Sequence, residues 1–112
     1  MVRTFSDAWI ELVAYARSHD SIETLSHGSE NRLSYDASDH TILVDHDEPE
    51  PLHMADIERV WKTLEDDGAL QRENTREALG KYRASVTLAL LVRALDLPYE
   101  SRPITVYPDR NQ

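Results

Sequence analysis

Residues 69 to 93, ALQRENTREALGKYRASVTLALLVR, hold the reading on which the fold turns. Gln71 to Gly80 is polar apart from Ala78 and Leu79, which can pack on one side, so the spacing predicts a short helix closed by Gly80. Beyond it, Val86, Leu88, Ala89, Leu90, Leu91, Val92 and Leu95 are apolar nearly all the way round, as in a helix buried between two layers rather than lying on a surface. That helix is the expected centre of the core. Its opening turn, Lys81-Tyr82-Arg83-Ala84-Ser85, is instead polar and cationic. The whole stretch is a positive island: Arg72, Arg76, Lys81, Arg83 and Arg93 stand against Glu73 and Glu77, a net +3. Residues 1 to 67 carry five cations against sixteen carboxylates, a net −11, in a chain whose total is −9. Such a split is a prior for a surface facing nucleic acid or an acidic partner, and says nothing about chemistry.

Upstream, Ile57, Val60, Trp61 and Leu64 recur at helical spacing, with Gly68 at the stop, which predicts a helix over 54–66. Downstream, Pro98 follows a helix end, and Ile104-Thr105-Val106-Tyr107 between Pro103 and Pro108 reads as a short edge strand. At the N-terminus Thr4 and Asp7 resemble a capping box, and Phe5, Trp9, Leu12, Val13 and Ala16 predict an amphipathic helix over 5–18. Three β-prone pieces follow, 22–27, 32–35 and 41–44, broken by turn residues at 28–31 and 36–39, which favours a three-stranded meander. The run 45–51, acidic and proline-rich without an apolar residue, reads as a solvated loop. The expected architecture is α+β: one helix, a small antiparallel sheet, then a three-helix cluster with a terminal edge strand. At 112 residues this is one domain, with an acidic half (1–53) and a helical, locally basic half (54–107).

With 40% hydrophobic and 29% charged residues the chain can build a real core, so wholesale disorder is not expected. The absence of Cys removes disulfides, thiolate metal sites and thiol nucleophiles together. No apolar run approaches the ~20 residues that span a bilayer, and no apolar leader core follows Met1, so a cytoplasmic location is expected. Ten Arg against two Lys, with eleven Asp, suggest a high-GC genome or a high-salt cytosol. At molar salt the Debye length falls to ~3 Å, and an acidic surface no longer repels DNA at a distance.

The arrangement helix, Gly68 turn, short helix, Gly80 turn, helix has the form of a helix-turn-helix, in which the second helix offers its N-terminal residues to a major groove. Helix N-termini also attract phosphates. The order over 54–107 resembles a winged helix-turn-helix domain, with the hairpin or the 98–108 segment as wing. Taken with Thr24-Leu25-Ser26-His27-Gly28 and Asn31, Asp67-Gly68-Ala69-Leu70, and Arg83-Ala84-Ser85 leading into Leu90-Leu91, the chain is similar to small modules of restriction and phage-defence gene neighbourhoods. The resemblance implies an accessory part of a nucleic-acid machine and transfers no catalytic residue. The candidate DNA contacts are Arg72, Arg76, Lys81, Tyr82, Arg83 and Ser85. Against them, Glu73 and Glu77 lie one helical turn apart where they would face phosphates, and after Ser85 the helix is too apolar for more than its first turn to reach base edges.

Other chemistry is thinly represented. His40, Asp45, His46, Asp47 and His53 could ligate a divalent metal, but their spacing fits no zinc pattern, and solvated side chains are the plainer reading, so neither metal nor cofactor is expected. No nucleophile, base and orienting group stand at a meaningful spacing, which argues for a non-enzymatic protein. Trp9 and Trp61 read as core. Tyr82, Tyr99 and Tyr107, with Arg83, Arg102 and Arg110, could form an interaction rim or simply close the core edge. The expected partner is DNA; the alternative is a basic protein engaged by the acidic half as adaptor or DNA mimic, and a homodimer pairing the two charged regions is a third possibility.

Overall fold

The computed structural model describes residues 3–25, 28, 30–45, 49–101 and 103–108. Helix α1 is Phe5–Ser18, opened by the Thr4 hydroxyl, which accepts from the Asp7 amide at 3.2 Å. It buries Ala8, Trp9, Leu12 and Ala16, the face that its apolar spacing predicts.

Four strands follow, β1 (Ser21–Glu23), β2 (Glu30–Asp36), β3 (Thr41–Asp45) and β4 (Pro49–His53), all antiparallel and in chain order. The predicted meander is therefore present with a fourth strand added. Its first strand is shorter than expected, and Ser26 and His27 lie outside the described residues. The expected loop 45–51 is corrected at Asp45, the last residue of β3, and over Pro49–Pro51, which pair with Asp45 to Leu43; residues 46–48 lie outside the described residues. Two prolines on alternate positions are compatible with a strand if their side of the ladder faces away from the sheet. Ile22, Asn31, Leu33, Ile42, Val44 and Leu52 share one face and are all buried. Helices α1 and α4 contact the sheet.

The second half runs α2 (Met54–Asp67), β5 (Leu70–Gln71), α3 (Arg72–Leu79), α4 (Lys81–Leu95), β6 (Tyr99–Ser101) and β7 (Ile104–Val106). Ile57, Val60, Trp61 and Leu64 of α2 are buried, as their spacing predicts. The predicted strand at 104–107 exists over Ile104–Val106, but as the middle strand of a three-stranded sheet ordered β5-β7-β6, not at an edge. Ile104, Thr105 and Val106 are accordingly all buried. Their neighbours β5 and β6 are too short to show an alternating pattern of their own.

Helix α4 is enclosed by α1, α3 and the four-stranded sheet. Ala84, Val86, Thr87, Leu88, Ala89, Leu90, Leu91, Val92 and Leu95 are all buried. Its C-terminal Leu95 carbonyl accepts from Arg3 Nη1 at 3.2 Å, while Arg3 Nε also pairs with Glu11 at 2.9 Å. One apolar cluster runs from Ala8 to Val106 through both sheets and the helices.

Two glycines punctuate the helical half in different ways. Gly68 ends α2 in the left-handed conformation (φ 71°, ψ 8°), its amide bonded to the Leu64 carbonyl at 3.0 Å. Gly80 joins α3 to α4 as a one-residue hinge at φ 88°, ψ 161°, a region open essentially to glycine alone. Neither position would meet steric obstruction from a Cβ, so any penalty is purely conformational. Asn should therefore be tolerated at Gly68 at a cost of about 1 kcal/mol or less, whereas Gly80→Asn should cost about 2 kcal/mol. Urea denaturation of the two variants checks this; equal losses would contradict the assignment.

Candidate nucleic-acid interface

The cations that the sequence places together are divided by the fold into different situations. Arg72 opens α3, where Gln71 and Asn74 form a reciprocal capping box. Its side chain is half-buried, and its Nε is fully buried without a hydrogen-bond partner among the described residues. Arg76, one turn further on, is exposed, but it shares a shallow depression with Glu73 and Glu77, so the local charge there is not positive. The two glutamates thus sit where the sequence places them, beside the cation that would have to meet a phosphate.

At the opening of α4, the side chains of Lys81 and Tyr82 lie outside the described residues. Arg83 is described, and it is engaged within the molecule: Nη1 donates to the Pro51 carbonyl at 3.3 Å and Nε lies 4.0 Å from a Glu50 carboxylate oxygen. Ser85 is half-buried. From Val86 to Val92 every residue is buried, Thr87 included, whose hydroxyl finds no partner among the described residues. The stretch Val86 to Val92 is closed to a ligand, because the neighbouring elements cover it. Arg93, the last cation of the island, is also engaged, with Nε donating to the Glu23 carbonyl at 3.0 Å.

The acidic half contributes local structure. The Asp36 carboxylate receives the Ser38 hydroxyl at 2.6 Å and the Ser38 amide at 3.0 Å. Those two bonds hold its carboxyl below the usual carboxylate range and tie the β2–β3 turn. The Tyr35 ring receives Arg17 on its face at 5.6 Å and meets Trp9 edge-on, so Tyr35 supports α1 against β2. His53 lies 3.3 Å from the Thr41 hydroxyl, and His40 3.5 Å from the Tyr35 hydroxyl. Among the described residues no three His, Cys, Asp or Glu side chains gather at metal-binding distance; His46 and Asp47 lie outside them. Trp9 and Trp61 are buried, as their helical positions predict. Of the rim tyrosines, Tyr99 is exposed and Tyr107 half-buried, while Arg102 and Arg110 lie outside the described residues. The Tyr107 phenol is pushed above its ordinary range by burial and by the Glu100 carboxylate beside it. Among the described residues no helix is long and apolar enough to cross a membrane.

Comparison with protein families, with curated proteins and with solved structures finds no match to this chain. The reading of the site rests on its own geometry.

That geometry gives Arg83 a structural role. Its bond to Pro51 is charge-assisted and partly shielded, so Arg83→Ala should lower stability by about 1–2 kcal/mol in chemical denaturation. A variant as stable as the parent would return Arg83 to the pool of free cations.

Proposed function

We propose that this chain is a non-enzymatic, nucleic-acid-associated module of winged-helix type, an accessory or regulatory part of a larger nucleic-acid system. The observation that carries the reading is the order helix, strand, helix, helix, strand, strand over 54–106, with the three strands arranged β5-β7-β6. In a winged helix the last two strands form the wing beside the helix that follows the turn. Here that helix is α4, and its burial beyond the first turn removes base reading from its repertoire. What is left is phosphate contact: Arg76, Lys81 and the opening turn of α4. Contact of that kind positions a protein on nucleic acid and carries no sequence information.

A second reading is favoured by a separate observation. Glu58, Glu65, Asp66 and Asp67 are exposed along α2 and outnumber the exposed Arg59 and Lys62 there, in the part of the chain, 1–67, whose net charge is −11. A surface of this sign engages a basic protein, as adaptor or as DNA mimic, more readily than it approaches a phosphate backbone.

Fluorescence anisotropy of labelled duplex and single-stranded DNA, titrated from low to high salt, separates the two. For the winged-helix reading, binding is weak, indifferent to sequence, and falls with salt at a log–log slope of about −2 to −3, as two or three phosphate contacts require. The Arg76→Ala, Lys81→Ala double variant should flatten that slope by about 2. An absence of binding at low salt would sink the reading and leave the acidic adaptor, for which a stoichiometric basic protein co-purifying with the chain is the expected result.

A further inference from the structure

We infer that Arg83 and Arg93 are a pair of clasps by which α4 seals both open edges of the four-stranded sheet, and that Arg93 keeps β1 from pairing with a strand of another copy. In an antiparallel ladder a residue's N–H and C=O point the same way, alternately toward the partner strand and away from it. The Leu33 amide donates to the Asp20 carbonyl at 2.9 Å, so Asp20 faces β2; two residues on Ile22 does too, and Ser21 and Glu23 face outward. It is the outward Glu23 carbonyl that receives Arg93 Nε.

At the opposite edge Pro49 and Pro51 have no amide hydrogen, so the ladder to β3 must run through Glu50 and Leu52, and both prolines face outward. The outward Pro51 carbonyl is the one that receives Arg83 Nη1. Each edge strand therefore has an outward carbonyl occupied by an arginine of the same helix. The dimensions agree. Positions 83 and 93 are ten residues apart, ~15 Å along a helix axis, and three strand spacings amount to ~14 Å. Helix α4 contacts β1 and β4, the outermost strands, as a helix laid across the sheet from edge to edge would.

Open edges offer unpaired donors and acceptors to other chains, and sheets that stay monomeric blunt them with proline, charge or a covering group. The two edges here are blunted unequally. At β4 the prolines remove two donors permanently, so loss of Arg83 frees an acceptor without creating a pairing edge. At β1 the amides of Ser21 and Glu23 have no partner among the described residues, so loss of Arg93 completes a donor–acceptor row.

Sedimentation velocity of the full chain across a range of concentrations tests this. Arg93→Met keeps an unbranched stem over the helix surface and lacks the donor. It should associate about tenfold or more tightly than the parent chain, one assembly step above it, as two recovered cross-strand bonds each worth about fivefold would give. The Ser21 and Glu23 amides should then exchange more slowly with solvent as concentration rises. Arg93→Lys, which can still donate, should behave as the parent. Arg83→Ala should gain no assembly although it loses stability. Adding Ser21→Pro to Arg93→Met removes one outward donor and should reverse the association. The inference is overturned if Arg93→Met folds and sediments as the parent, or if Arg83→Ala assembles equally, which would make lost charge and not edge geometry the cause. Should Arg93→Met fail to fold, Arg93→Ala supplies the same comparison, and failure of both would show Arg93 to be a folding determinant and overturn its assignment as an edge clasp.

Discussion

The burial of α4 is the constraint from which the rest of the structure follows. A helix that is apolar all round has no face to leave in water, so α1 and α3 must close over it while the four-stranded sheet supports it. Leu88, Leu90 and Leu91 alone each contribute about 1.5–3 kcal/mol by leaving water. Lifting the sheet from α4 would wet the leucines on that side at about 1.5–3 kcal/mol each, so the arrangement is a core and not a closed lid.

Charge is redistributed by the same constraint. In the linear chain Arg83 and Arg93 stand among the cations of a positive island. In the fold they are drawn to backbone carbonyls at opposite edges of the sheet, because α4 meets β4 near its start and β1 near its end. A carbonyl facing out from an edge strand needs a donor, and a guanidinium on a long stem reaches one while keeping part of its surface wet. Arg76 remains exposed, but Glu73 and Glu77 are beside it. A count of charges along a sequence sums what is present; it does not subtract what the backbone consumes.

Two sheets then divide the work of the fold. The four-stranded sheet serves as a floor for α1 and α4 and has its edges covered. The three-stranded sheet closes the end of the helical cluster, with β7 buried between β5 and β6. The element order of that second half is what the proposed nucleic-acid association rests on, and the buried length of α4 is why that proposal is limited to phosphate contact. The acidic surface of α2 gives the alternative adaptor reading a physical basis of its own.

The sequence by itself determined the four helices closely, because each spans at least two turns and shows its apolar stripe, its cap or its terminating glycine directly: Thr4 before α1, Gly68 after α2, Gly80 between α3 and α4. It determined β2 and β3 in outline, as β-prone pieces set off by turn residues, and α4 as the core through the absence of any polar face beyond its first turn. It could not determine β4, since Pro49 and Pro51 read as breakers unless one knows that they face away from β3. Nor could it determine β5 and β6, whose two and three residues carry no period. The candidate interface was legible as a list of cations and not as a surface. Whether a guanidinium is free or spent on a distant carbonyl is decided by contacts 32 and 70 residues apart in the chain, and only the tertiary structure brings those together.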